Sequence, residues 1–406
     1  MEIKTNNTKL KREVTLIPLI FYGLGNIIGA GIYALIGEIS GIAGYFIPLS
    51  FLLACIIVLF TALSYAELSS RYPLSAGVAV FVDKAFNNKK FSTFMGLLVA
   101  VNGILFAATI IHGFNSYISV FIGIPQYISS FSILIILSSI AIYGISQSVR
   151  IAALFTVLES LGLIMIIYAG IGYLPQSEVT LSNFIPAVDL TIYNAIIMGA
   201  FLAFFAFTGF EDIITIAEEV KEPNTTMPKA IIWSLVFTTI IYMLIAFFSI
   251  IVLEPKTLAL ASAPLDEVYK TATNSESNIL GTIGMLAMIN GALIQLIMVS
   301  RILFGMSKEG WLPSAFNKLN PNTRTPVNAT IFVSVLVYIA TLWLPLLTLA
   351  ELTSFVIFII FSIVNLSLIK IKYSSTETKN IFTIPIWVPA IGIVLNMFIL
   401  CVYLLN

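Results

Sequence analysis

Apolar runs of roughly the 20 residues needed to cross a bilayer follow one another along the chain, separated by short polar clusters. Eleven can be counted, at about 15–37, 43–69, 91–121, 129–146, 151–173, 194–218, 229–252, 279–304, 327–344, 347–369 and 384–404. The pattern predicts an all-α polytopic membrane protein with about 11 transmembrane helices. Between the second and third runs, "AGVAVFVDKAF" predicts a short amphipathic helix at the interface. The segment 253–278 is long enough for a short surface helix.

Two runs carry an interruption at mid-depth. The first holds "GNIIGAGIY" (25–33), with Gly25, Gly29 and Gly31 in nine residues. The sixth holds "FTGFED" (207–212), where Gly209 is followed by Glu211 and Asp212. Glycine weakens a helix by about 1 kcal/mol relative to alanine. An unpaired backbone group in lipid costs several kcal/mol, so a break there needs a reason. Spans 1 and 6 are five apart and therefore cross in opposite directions. This is the sign of an inverted repeat, five spans plus five, and a transporter site is expected between two such discontinuous helices. The expected organisation is one transmembrane domain over 1–406. It has an arm at 1–14, a first repeat at 15–173, a second, inverted repeat at 194–369 and an extra span at 384–404. Gly25 and Gly29 also form a GxxxG pair, which packs two helices closely. The glycines alone leave both readings open.

Composition agrees with a membrane protein. Hydrophobic residues make up 59%, charged residues 10%, and mean hydropathy is +1.03. Soluble domains carry about 25% charged residues. With the N-terminus cytoplasmic and the spans alternating, all of the twenty Lys and Arg except Lys256 and Lys270 fall inside. That asymmetry is the positive-inside rule. It places the C-terminus outside, and the balanced net charge gives no reason to expect nucleic acid. The charged start "KLKREV" leads into a long span without a small-residue cleavage site, so no cleaved leader is expected. Cys55 and Cys401 lie in apolar runs and are expected to be small core residues.

"GLGNIIG" (23–29) has the spacing of a dinucleotide fingerprint but lacks the strand and soluble βαβ unit which that motif requires. His112 is the one histidine, and a lone His cannot build a metal site. It is expected as a hydrogen-bonded core residue. No HExxH-like pair is present, and an intramembrane enzyme would need paired Asp/His or a nucleophile with its base. No enzyme activity, cofactor or metal is therefore expected. Glu67 and Arg71 are spaced i, i+4 and predict a local helix pair. Glu218 and Glu219 read as a solvated helix end. Asn224 begins a glycosylation sequon that this topology places inside the cell, so it is expected to be unmodified.

Four segments together resemble the amino acid–polyamine–organocation (APC) transporter superfamily. They are "GLGNIIGAGIYALIG" (23–37), "YAELSSRYPLSAGVAVFVDKAF" (65–86), "FFAFTGFEDIITIAEEVKEPNTTMPKAI" (204–231) and "SRILFGMSKEGWLPSAFNKLNPNTRTPVNA" (300–329). They occur in the family's order and topological positions. The family usually has twelve spans; eleven here retain the five-plus-five core. The resemblance implies the LeuT-like fold, with spans 1 and 6 moving against spans 3, 4, 8 and 9. It implies a plasma-membrane secondary transporter for an amino acid of neutral or broad specificity. Its alternatives are a cationic amino acid or polyamine carrier, or a sensor on the same fold.

The resemblance also implies site residues. The substrate carboxylate would meet the amides of Gly29, Ala30 and Gly31. The ammonium would meet carbonyls of Ile27, Phe205, Ala206 and Thr208. Phe205 matches the family's aromatic gate, with a plain core Phe as the alternative. Half-helix ends suit these roles, because a helix start favours an anion and a helix end offers free carbonyls. A zwitterion could then bind without a charged side chain, which lipid penalises.

Glu159, eight residues into span 5 and about 12 Å deep, is the leading coupling candidate. Several members carry lysine at the matching position, so the lysine mechanism does not carry over unchanged. A carboxyl there could move protons or could simply be held in a structural hydrogen bond. Glu211 is a second candidate for protonation or gating, and Asp212 reads as structural. Sodium is the less favoured ion, and proton symport or exchange is expected instead. Relatives that use it take hydroxyls from span 8, and residues 283–299 contain no Ser or Thr, leaving only Asn290 and Gln295 as side-chain oxygen donors.

Overall fold

The computed structural model describes residues 14–28, 30–73, 77–143, 145–308, 310–323, 325–374 and 381–405. Helices stand at all eleven predicted spans. The first is split into α1 (Leu16–Ile27) and α2 (Ala30–Ala43), and α3 (Ile47–Arg71) is the second. After the short α4 (Gly77–Phe86) come α5 (Lys89–Ser119), α6 (Gln126–Tyr143) and α7 (Ile145–Tyr173). The sixth span is α8 (Leu190–Phe207) followed by a 3₁₀ segment, Phe210–Glu219. Then follow α9 (Pro223–Val252), α10 (Pro255–Leu260), α11 (Pro264–Thr273), α12 (Ile279–Lys308), α13 (Val327–Trp343), α14 (Leu346–Ser374) and α15 (Trp387–Leu405). Nine helical stretches among the described residues are long and apolar enough to cross a membrane, one of them running from Gly31 to Arg71; α1 and α13 are shorter apolar helices. The chain is an all-α, multi-pass membrane protein.

Helix contacts come in pairs that exchange the two halves. α3 packs on α9, α5 on α12, and α6 on α13. α1 lies against α9 as α8 lies against α3, and α14 lies against α5 as α7 lies against α12. α2 and α8, one segment from each broken span, pack on each other. At their far ends, Lys221 N–H donates to the Val14 carbonyl at 2.8 Å, tying the start of α1 to the end of the 3₁₀ segment.

Local chemistry explains where helices begin and how an irregularity is absorbed. The Asn88 side chain caps α5 by accepting from Lys90 N–H and Phe91 N–H. Asp189 caps α8 through Thr191 N–H at 2.8 Å. Pro228 sits inside α9 and has no N–H for the Asn224 carbonyl four residues back. The Ser70 hydroxyl of α3 donates to that carbonyl instead, at 2.9 Å. A proline in one helix thus becomes an attachment point for another.

Several expectations need correction. α7 starts at Ile145, six residues before the apolar run, and only residue 144 separates it from α6. A helix can continue beyond its apolar stretch, because polar residues at its end lie outside the hydrocarbon and carry no lipid penalty. The segment 253–278 holds two helices with one buried face each: Leu258, Leu265 and Val268 are fully buried, with α10 on α2 and α11 on α7, while Leu260 stays 88% exposed. α4 has its amphipathic character, but it packs on α5 and α14, and Phe81 meets Tyr65 edge-on at 6.2 Å. Cys401 lies exposed on α15 rather than in the core, while Cys55 is part-buried and accepts from Thr239. His112 Nδ1 is buried without a hydrogen-bond partner, so one ring nitrogen of the expected core His is unsatisfied.

Candidate functional site

The two interruptions meet backbone to backbone. α1 ends at Ile27 and α2 begins at Ala30, so the first span is interrupted between them. α8 ends at Phe207; Thr208 turns to ψ 138° and Gly209 takes φ +120°. That conformation is one that essentially only glycine adopts without strain. A Cβ on Gly209 would lie 2.5 Å from the Asn26 carbonyl oxygen, and one on Gly31 would lie 2.7 Å from Ala206 Cα. Each break therefore has a glycine where the opposite chain passes closest. The Glu211 carboxylate accepts from its own Gly209 N–H at 2.9 Å, capping the restart of the second broken span.

The expected ligand atoms are distributed as follows. Ile27, Gly31 and Ala206 line one small cavity between the breaks, together with Phe106, Asn26 and Gln295. Its volume is about 10 Å³, room for about one water. Ala30 opens α2, and Gly29 lies outside the described residues. Thr208 is buried beside the break, and its hydroxyl has no hydrogen-bond partner. Phe205 is fully buried and stacks on Phe106 with centroids 4.4 Å apart, so Phe106 is the ring on the cavity wall and Phe205 supports it from behind. Asp212 also lines the cavity and is engaged with a neighbouring group. The side chains of Glu218 and Glu219 lie outside the described residues.

Tyr242 of α9 had not been singled out, and it joins the two breaks. Its hydroxyl lies 2.6 Å from the Ile27 carbonyl oxygen and 3.0 Å from that of Ala206. The single phenolic proton can serve only one of them at a time. Phe51 and Phe207 hold the ring edge-on at 5.6 and 5.4 Å. The available signal was a lone phenol in the apolar run "TTIIYMLIAF", since a buried Tyr hydroxyl in lipid needs a partner.

Glu159 is fully buried on α7, where its Oε1 accepts from Asn290 Nδ2 of α12 at 2.9 Å. Its other oxygen and the Asn290 carbonyl oxygen are buried without partners. Asn290 Nδ2 also reaches Thr156 Oγ1 at 3.5 Å, and Thr156 occupies the space a Cβ on Gly25 would need. Gly25 is thus a close-packing glycine. It brings the Glu159–Asn290 pair against α1 one turn before its break. Tyr33 of α2 donates to the Glu159 backbone carbonyl at 3.0 Å, so both halves of the first span touch this part of α7.

Comparison with known proteins places this arrangement. A family profile described as "Amino acid permease" matches residues 14–406. The branched-chain amino acid permease BcaP of Bacillus subtilis is 27% identical over 398 residues, covering 93% of this chain and 84% of that protein. The cationic amino acid transporter 3, mitochondrial, of Arabidopsis thaliana is 26% identical, covering 92% of this chain and 64% of that protein. The methylthioribose transporter of Bacillus subtilis is 24% identical, covering 97% and 88%.

Proposed function

This chain belongs to the amino acid permease family, and from that premise we propose that it is a secondary active transporter. It carries an amino acid, neutral or of broad specificity, across the plasma membrane by alternating access. The observation that carries this reading is the meeting of two broken helices around a cavity walled by their backbone. Helix ends supply both ligand polarities for a zwitterion. In this reading the carboxylate binds the amides of Gly29, Ala30 and Gly31, and the ammonium binds carbonyls of Ile27, Phe205, Ala206 and Thr208. The relatives' substrates include a branched-chain amino acid, cationic amino acids and methylthioribose by name, so the side-chain class is a question for the site itself. The Asp212 carboxylate on the cavity wall favours a second reading, a cationic amino acid or polyamine carrier.

The paired helix contacts support two inverted repeats, 15–173 and 194–369, with 384–404 added. The charge asymmetry supports a cytoplasmic N-terminus and an external C-terminus. Uptake of a panel of labelled amino acids into proteoliposomes tests the function. Counterflow of at least one labelled amino acid is expected; its complete absence would leave the sensor alternative standing.

Coupling is assigned to protons, with Glu159 as the carrier and Glu211 as an accessory gate. Glu159 offers a proton-binding carboxyl next to α1, and span 8 lacks the hydroxyls a sodium site would use. Uptake is expected to follow an imposed pH gradient and to ignore sodium. Glu159→Gln should flatten the dependence of initial rate on external pH while leaving gradient-independent counterflow within about threefold of wild type, as expected when a proton carrier is lost but the substrate site is not. An unchanged pH profile in this variant would remove Glu159 from the mechanism.

Tyr242→Phe tests the joint between the breaks. It leaves two buried carbonyls without their shared donor, at about 1–3 kcal/mol. A lower unfolding temperature in detergent and a rate reduced roughly tenfold are expected. A variant with wild-type melting and wild-type counterflow would show that the bridge has no role.

A further inference from the structure

We propose that Gln295 reads the side chain of the substrate and that the site selects amino acids whose side chain ends in a hydroxyl or carboxamide over aliphatic ones of the same shape. This rests on the transport reading above and names its substrate class.

Gln295 lies on α12, is 6% exposed, lines the cavity between the breaks, and its Oε1 has no hydrogen-bond partner. A buried side-chain amide oxygen without a protein partner is rare, because such atoms are almost always paired within the protein or by ordered water. The other polar side chain in the same apolar stretch, Asn290, points to α7 and donates to Glu159. Five residues at 3.6 per turn put the two on different faces of α12. Gly291 and Ile294 share the cavity face with Gln295. Across α5, Gly103 leaves the space in which the amide sits: a Cβ there would lie 3.2 Å from Gln295 Oε1.

A second orphan stands on the same cavity. Asn26, just before the first break, lines it and has Nδ2 buried without a partner. The cavity thus presents an unused acceptor from α12 and an unused donor from α1. With either amide turned over, the wall still offers donors and acceptors. A hydroxyl or carboxamide both donates and accepts, and can pair with both. An ammonium or guanidinium only donates and would leave the Asn26 amide group unanswered. An aliphatic end leaves both groups desolvated and unpaired, and a site built with buried hydrogen-bonding groups rejects such a ligand strongly.

The test compares isosteres in proteoliposomes: threonine against valine, and asparagine against leucine, as initial counterflow rates over a concentration series. Wild type should favour threonine and asparagine by roughly tenfold or more in kcat/KM. Gln295→Met keeps length and volume but removes the amide, and should lower both ratios several-fold, with Asn26 left as the remaining source of preference, while valine and leucine are still carried. Gln295→Glu keeps an acceptor and should retain a preference for threonine. Wild-type protein that carries valine as well as threonine would overturn the proposal without any variant, as would unchanged ratios in a folded Gln295→Met. Failure to carry any amino acid would overturn the transport reading and this proposal together. That result is distinct from transport with no isostere preference, which overturns this proposal alone.

Discussion

Gly209→Ala is expected to reduce amino acid counterflow to below about 1% of wild type. Two independent costs act at this position. At φ +120° an L side chain is strained by about 1–3 kcal/mol. The new Cβ would also stand 2.5 Å from the Asn26 carbonyl oxygen and 3.0 Å from its carbon. Both are backbone atoms, so no rotamer change can relieve the contact. The crossing has to open, and it forms one wall of a cavity of only about 10 Å³. Opening it moves Ile27 and Ala206 relative to each other, and with them the carbonyls that share the Tyr242 proton. Misplacement by about 1 Å is enough to cost a hundredfold in rate. Gly31→Ala should follow the same direction, because its Cβ would meet Ala206 Cα at 2.7 Å. Gly305→Ala is the control: a Cβ there meets nothing within 4 Å. Equal amounts of folded protein, verified by size-exclusion and thermal unfolding, should be reconstituted for all three. Gly209→Ala with more than half of the wild-type rate would show that the backbone crossing is not the transport site.

The features visible from sequence are those fixed by local chemistry. Apolar length located the eleven spans, and glycine clusters located both breaks to within a residue or two of Ile27–Ala30 and Phe207–Phe210. What sequence could not supply were partners far along the chain. Tyr242 reaches Ile27 across 215 positions, and nothing in either segment announces the other. The aromatic wall is a similar case. Phe205 was singled out by its place in a motif, but the ring on the cavity is Phe106, and the packing of α5 against α12 decides that. Gln295 was visible only as a polar residue in an apolar run. Its significance comes from being unpaired, which is a property of its surroundings. The helices α10 and α11 are legible as surface helices from their mixed composition, but not the helices their apolar stripes pack on, α2 and α7.

Glu67→Ala is expected to destabilise the folded protein by about 3–5 kcal/mol, the range for breaking a buried ion pair from one side. The i, i+4 spacing to Arg71 predicts a local helix pair worth about 0.3–0.5 kcal/mol. The structure contains that pair and extends it. The Glu67 side chain is fully buried; one oxygen accepts from Arg71 at 2.6 Å, and the other meets Lys372 of α14 at 2.7 Å. The second oxygen also accepts from the Ile384 N–H at 2.8 Å, and Lys372 donates to the Ile384 carbonyl at 2.7 Å. Ser70, one turn along α3, accepts from Phe382 N–H and donates to Asn224. One carboxylate therefore joins α3 to α14 and to the segment that leads into α15, while its neighbour reaches α9. Removing it leaves Arg71 and Lys372 facing each other with side chains only 4% and 14% exposed. The loss should exceed that of Lys372→Met, which leaves the Glu67–Arg71 pair intact. Adding Lys372→Met to Glu67→Ala should restore part of the stability, because it removes a stranded charge. A double-mutant cycle on unfolding free energy measures this coupling directly. A loss below about 1 kcal/mol for Glu67→Ala, with additive variants, would return the pair to an ordinary helix-surface contact.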